Sequence, residues 1–175
     1  MDVLEAIKKR HSVRAFLDKE VDESVVREII EVSKQSPSGV NSQPWKVYAV
    51  LGKARDNLVK EACEKFDAGS WESEEYQVYP NKENMPDWYK ARQRACGFGM
   101  YGVLGIERED REKRTAQARK NYELFGAPVG LFISVNKAVG PNGWGHVGHF
   151  VQSICLAAVG SGLGTCLQEA WAGFP

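Results

Sequence analysis

Apolar residues recur along this chain at two periods, and the changeovers between them predict the elements. Val3, Leu4 and Ile7 form one stripe with Glu5, Lys8 and Lys9 opposite, which predicts a short amphipathic helix over 2–9. Asp22 suits the N-cap of a second helix whose buried side is Val25, Val26, Ile29, Ile30, Val32 and Ser33. That helix must stop before Pro37, because the residue ahead of a proline is pushed out of the helical region. Trp45-Lys46-Val47-Tyr48-Ala49-Val50-Leu51 and Val129-Gly130-Leu131-Phe132-Ile133-Ser134-Val135 read as two buried strands. Between them, residues 53–66 resume a helix with Leu58, Val59, Ala62 and Phe66 on one side. Residues 89–124 look helical, with a break near Gly102–Gly105 and a highly charged second part. The run Phe150, Val151, Ile154, Leu156, Ala157, Ala158, Val159 predicts a helix over 146–160 buried on most sides. Gln152 interrupts it, and a buried amide requires partners. The stretch from Gly162 to Ala172 reads as a third strand entering a loop. Residues 68–88 fit no period, and a loop that long tends to be a lid or a binding loop.

The chain length fits one domain with a real core, and the hydrophobic (43%) and charged (26%) fractions are ordinary for a globular protein. Lys+Arg and Asp+Glu both total 23, a balance that argues against bulk nucleic-acid binding or an anionic membrane surface. No apolar run approaches the roughly 18 residues that span a bilayer. The first residues, Met1-Asp2-Val3-Leu4-Glu5, lack the apolar core of a signal peptide, so a cytoplasmic protein is expected. Cys63, Cys96, Cys155 and Cys166 form no Cys-x-x-Cys pair, and Cys155 and Cys166 sit among apolar residues as small core side chains. His146 and His149 can share a helix face as a metal pair, but no third ligand lies at a suitable spacing, and no metal is expected. Gly97-Phe98-Gly99-Met100-Tyr101-Gly102 matches G-x-G-x-x-G only formally: no strand precedes it and it lies inside a helical pattern. There is no G-x-S-x-G and no Ser/His/Asp or Cys/His set, so no catalytic side chain is expected.

Two stretches carry chemistry. In Arg10-His11-Ser12-Val13-Arg14-Ala15-Phe16, alternation at period two points Arg10, Ser12 and Arg14 the same way if the segment is extended. Two guanidinium forks and a hydroxyl on one face suit a single anion, phosphate being the usual one. A solvated basic turn is the plainer alternative. The second stretch, Ser36-Pro37-Ser38-Gly39-Val40-Asn41-Ser42-Gln43-Pro44-Trp45, packs turn formers, amides and hydroxyls directly before a strand. It suits a polar planar ligand, or serves only as a helix-to-strand loop.

Together and in this order, R-H-S-V-R-A-F and S-P-S-G-V-N-S-Q-P-W resemble the nitroreductase family of FMN flavoproteins. The resemblance implies an α+β fold: a three-layer α/β/α sandwich with a central, mainly antiparallel sheet, over residues 1–175 as a single FMN-binding domain. It implies an obligate homodimer with FMN at the interface, the 146–160 helix running through the dimer core. Arg10, His11, Ser12 and Arg14 fall in the set that grips the phosphate and the pyrimidine edge. Pro37, Ser38, Gly39 and Asn41 fall in the set that reaches the flavin from the other subunit. Leu167, Gln168 and Glu169 fall where the backbone passes the flavin, mainly as main-chain donors, with Gly162 and Gly164 permitting close approach. Y-Q-V-Y-P and N-Y-E-L-F-G-A-P resemble the nitroaromatic branch, which makes Tyr76, Tyr79 and Phe125 candidate substrate walls, with Trp88 a further aromatic face. Tyr76, Tyr79 and Trp88 serve equally well to pin their loop to the body.

The implied activity is a ping-pong hydride transfer from NADH or NADPH through FMN to a nitroaromatic, quinone or similar small-molecule acceptor. Reductive dehalogenation or enone reduction on the same scaffold, or flavin binding with little catalysis, are the alternatives. Family members continue some tens of residues further, through another strand and a basic residue that completes the phosphate site. A sheet one strand short is therefore expected here.

Overall fold

The computed structural model describes residues 1–70 and 80–173. Eight regular elements follow one another: α1 (Val3–Lys9), α2 (Glu23–Ser33), β1 (Trp45–Leu51), α3 (Gly52–Asp67), α4 (Asp87–Val103), α5 (Arg111–Arg119), β2 (Val129–Val135) and α6 (Asn142–Gly160). The chain is α+β, helix-rich with an antiparallel sheet, as expected. It divides into two compact units, one of residues 1–58 and 125–167, the other of residues 59–124 and 168–175.

In the first unit β1 and β2 pair antiparallel, from Trp45 opposite Val135 to Leu51 opposite Val129. Trp45, Val47, Leu131 and Ile133 pack on a buried cluster of Ile29, Phe150, Ile154 and Ala158. The Trp45 and Phe150 rings stack at 4.6 Å, 5° from parallel, a contact worth about 0.5–1.5 kcal/mol beyond its area. Both strands were expected to be buried, yet Lys46, Tyr48 and Ser134 are exposed. Burial alternates only over residues 45–48, and the side chains that pack on α2 and α6 come from Trp45, Val47, Leu131 and Ile133. Asp22 caps α2 as expected, its carboxylate accepting from the Ser24 N–H at 2.7 Å. That contact and the Ser24 hydroxyl hold its carboxyl below the usual range.

Five expectations need correction here. In α1 the buried residue is Ala6, whereas Val3 and Leu4 are both 69% exposed and Ile7 is exposed too. Val32 of α2 is exposed, and Gln152 of α6 faces solvent rather than demanding buried partners. The third strand is reduced to one parallel bridge, Ser12 to Thr165, so the described sheet has two strands. Cys155 is a core side chain, but Cys166 is only partly buried.

The second unit is built on Ala62, Cys63 and Tyr122, with Val59, Phe66, Ala170 and Trp171 packed around them. The Tyr122 hydroxyl donates to the Ala170 carbonyl at 3.2 Å and the Trp171 indole N–H to the Asn121 carbonyl at 3.1 Å. Burial pushes the Tyr122 phenol up. Arg119 grips Asp67 with Nε to Oδ1 at 2.9 Å and Nη2 to Oδ2 at 3.0 Å, and also bonds Glu123. The formal G-x-G-x-x-G lies inside α4, as its helical context indicated.

Candidate cofactor site

The first motif leaves α1 through Arg10 and runs without regular structure, fastened through its backbone. The Val13 N–H donates to the Thr165 carbonyl at 2.9 Å, beside the Ser12–Thr165 bridge. Gly164 makes this possible: a Cβ there would stand 2.9 Å from Val13 Cγ2, a separation side chains do not tolerate. Gly162 serves differently, turning the chain at φ +77° after α6.

Because the backbone does the fastening, the polar side chains are left over. Among the described residues, Arg10, Ser12 and Arg14 have no side-chain hydrogen bond or ion pair. Arg10 and Ser12 are half-buried and Arg14 is exposed. The Arg14 guanidinium lies 6.0 Å over the ring of Phe125, so two residues assigned to cofactor and substrate meet. Its charge also acts on Cys166, whose thiol is pushed up by burial and pulled back by Arg14. His11 is turned to its own helix end, Nδ1 lying 2.8 Å from the Lys9 carbonyl.

The second motif is fixed the other way round, by side chains acting on its backbone. The Ser36 hydroxyl lies 2.7 Å from both the Ser33 carbonyl and Ser153 Oγ, with one hydrogen to give between them. The Pro37 carbonyl lies 3.3 Å from His149 Nδ1, and the Gly39 N–H donates to His146 Nε2 at 3.4 Å. A Cβ at Gly39 would stand 3.3 Å from the His146 ring. Ser38 Oγ accepts from the Gln43 N–H at 3.0 Å, and Asn41 Oδ1 from Gln43 Nε2 at 3.2 Å. Within the loop Val40, Asn41 and Gln43 hold φ of 49°, 55° and 43°. Left-handed conformation at a β-branched valine is costly, and such strain persists only where surroundings impose it.

His146, His149 and Ser153 are the residues whose role the sequence reading missed. Their spacing of three and seven places them on one face of α6, where sequence alone offers His146 and His149 as a pair without a third ligand. That face holds a loop instead, and no group of three metal-ligating side chains exists among the described residues.

Leu167 is exposed in the first unit. Gln168 and Glu169 belong to the second unit, where Gln168 Nε2 donates to the Asn121 carbonyl at 3.0 Å. Phe125 is buried at φ 53°. Trp88 is exposed and stacks under Arg92, whereas Tyr76 and Tyr79 lie outside the described residues.

An FMN phosphate needs charge-assisted donors that nothing else claims, and Arg10, Ser12 and Arg14 offer that set. No hydrogen bond joins residues 10–14 to residues 37–41.

Comparison with known proteins identifies the relatives of this chain. The 4-nitrobenzoate reductase of Nocardioides sp. strain LMS-CY is 31% identical over 169 residues, covering 96% of this chain and 68% of that protein. The nitrobenzene nitroreductase of Ectopseudomonas oleovorans is 33% identical over 166 residues, 94% of this chain and 72% of its own length. Among solved structures, the FMN- and NADPH-dependent nitroreductase NfnB from sphigopyxis sp. strain HMH superimposes with a TM-score of 0.92 at 37% identity. That match covers 99% of this chain and 78% of the other. The profile described as the nitroreductase family matches residues 7–174, and the chain belongs to that family.

Proposed function

We propose that this chain is an FMN-dependent oxidoreductase that passes hydride from NAD(P)H to a nitroaromatic, quinone or similar acceptor. The observation that carries the reading is the unclaimed donor set Arg10, Ser12 and Arg14 on a backbone fastened to Thr165. Arg10 and Ser12 take the phosphate. Arg14 supplies a fixed positive charge at the pyrimidine edge, where a cation favours a carrier that gains negative charge on reduction. When bound, FMN supplies the two-electron carrier between donor and acceptor. His11 orders the end of α1 beside this set. Leu167 acts as a main-chain donor, and Phe125 walls the substrate side with Arg14 over its ring.

The working unit is a homodimer in which Pro37, Ser38, Gly39 and Asn41 serve the partner's flavin. Support comes from exposed Val3, Leu4 and Ile7, an apolar face that a partner would cover. The whole chain is one FMN-binding domain. Its four cysteines are free, which accords with a cytoplasmic location. No helix among the described residues is long and apolar enough to cross a membrane.

The test is the absorbance spectrum of the purified protein, with released cofactor identified by chromatography, followed by NADPH oxidation with and without a nitroaromatic. Bound FMN and acceptor-dependent oxidation are expected. A protein that stays colourless in excess FMN would refute the reading.

A further inference from the structure

The second unit holds a surface cavity of about 390 Å³, lined by Phe66, Tyr101, Arg111, Arg114, Thr115 and Ala118. The volume is in the range of small-ligand pockets. Its four α5 residues are spaced three, four and seven apart, so a single helix face supplies them. The cations of that helix divide into two groups. Lys113 pairs with Asp110 at 3.0 Å, and Arg119 pairs with Asp67 and Glu123. Arg111 and Arg114 have no carboxylate partner among the described residues, and both line the cavity. Arg114 is also held in place: its guanidinium lies 5.3 Å over the Tyr101 ring, and Nη1 donates to the Arg108 carbonyl at 3.2 Å. Two guanidiniums without a counter-ion among the described residues, a hydroxyl and two aromatic rings line one cavity.

We propose that this cavity binds a small aromatic anion, its carboxylate or phosphate taken by Arg111 and Arg114 and its ring set against Tyr101 and Phe66. Guanidinium forks match both oxyanions, and aromatic faces take a planar ring. Two sources share that chemistry: an acceptor bearing a ring carboxylate, and the adenylate end of a dinucleotide. The proposal uses the nitroreductase reading only to choose probes. Loss of FMN binding by the wild-type protein would sink that reading and leave the cavity untouched.

Calorimetry on the oxidised full-length protein decides, with 4-nitrobenzoate against nitrobenzene in one arm and adenosine 2′-phosphate against adenosine in the other. In at least one arm the anion should bind about tenfold or more tightly than its neutral analogue, an advantage that shrinks with salt. Arg111→Gln with Arg114→Gln should remove it while circular dichroism and FMN content stay as in wild type. The arm that responds identifies the source. Should the double variant misfold, each single substitution must weaken the anion and spare the neutral analogue. Equal affinity for anion and neutral analogue in both arms, or an advantage that survives the glutamines, overturns the proposal.

Discussion

The two motifs of the candidate site are held by opposite means. Residues 10–14 are fastened through backbone groups to Thr165, which leaves Arg10, Ser12 and Arg14 with unused donors. Residues 36–43 are fastened by α6, His146 and His149 meeting the backbone at Gly39 and Pro37 and Ser153 meeting the Ser36 hydroxyl. The contrast says where each is vulnerable. In the first, truncating a side chain should remove a proposed ligand contact and leave the fold. In the second, the vulnerable residues sit on a different element, remote in sequence from the motif itself.

The largest effect should come from forcing the first motif off its support. Gly164→Val puts branched carbons against Val13, which a Cβ alone already meets at 2.9 Å. A cost of about 1–3 kcal/mol in denaturant unfolding is expected, together with loss of bound FMN. Unchanged unfolding would mean the segment is not held through this approach. Arg10→Ala comes next, because a charge-assisted bond contributes about 1.5–3 kcal/mol, equivalent to roughly ten- to a hundredfold in the FMN dissociation constant. Its unfolding curve should overlay the wild type.

His146→Ala tests the second motif. Losing one hydrogen bond of about 0.5–1.5 kcal/mol should loosen the loop, seen as faster amide exchange at Gly39 and a weakening of FMN of a few-fold. If exchange at Gly39 is unaffected, the histidine is not what holds the loop. The smallest effect lies in the second unit, where the Arg119 guanidinium holds the Asp67 carboxyl below its usual range. A lowered folded-state value stabilises the fold above the ordinary carboxylate range and is lost as pH falls through the lowered value. Arg119→Gln should therefore flatten the acid limb of a stability–pH curve and change little near neutrality, the pair being exposed.

Much of the fold was legible because it obeys local rules. The Asp22 cap, the stop before Pro37 and both strand spans fall where the sequence puts them. What failed depended on surroundings. Val3, Leu4 and Ile7 have helical spacing, but spacing does not say which element will cover them. The stretch after Gly162 has strand composition, yet only Thr165 finds a pairing partner. The proposal for residues 10–14 rests on local sequence, since guanidiniums and a hydroxyl at period two suit an anion. The histidine support could not be read, since His146 and Gly39 are 107 positions apart and nothing local links them.

The central claim is that Arg10 and its neighbours exist to hold a phosphate. FMN and riboflavin differ by that phosphate alone, so the ratio of their dissociation constants, in wild type and in Arg10→Ala, isolates it. The wild-type protein should prefer FMN by about a hundredfold or more, and the variant should lose at least tenfold of that preference through FMN while riboflavin affinity stays put. A preference that survives Arg10→Ala intact would contradict the account.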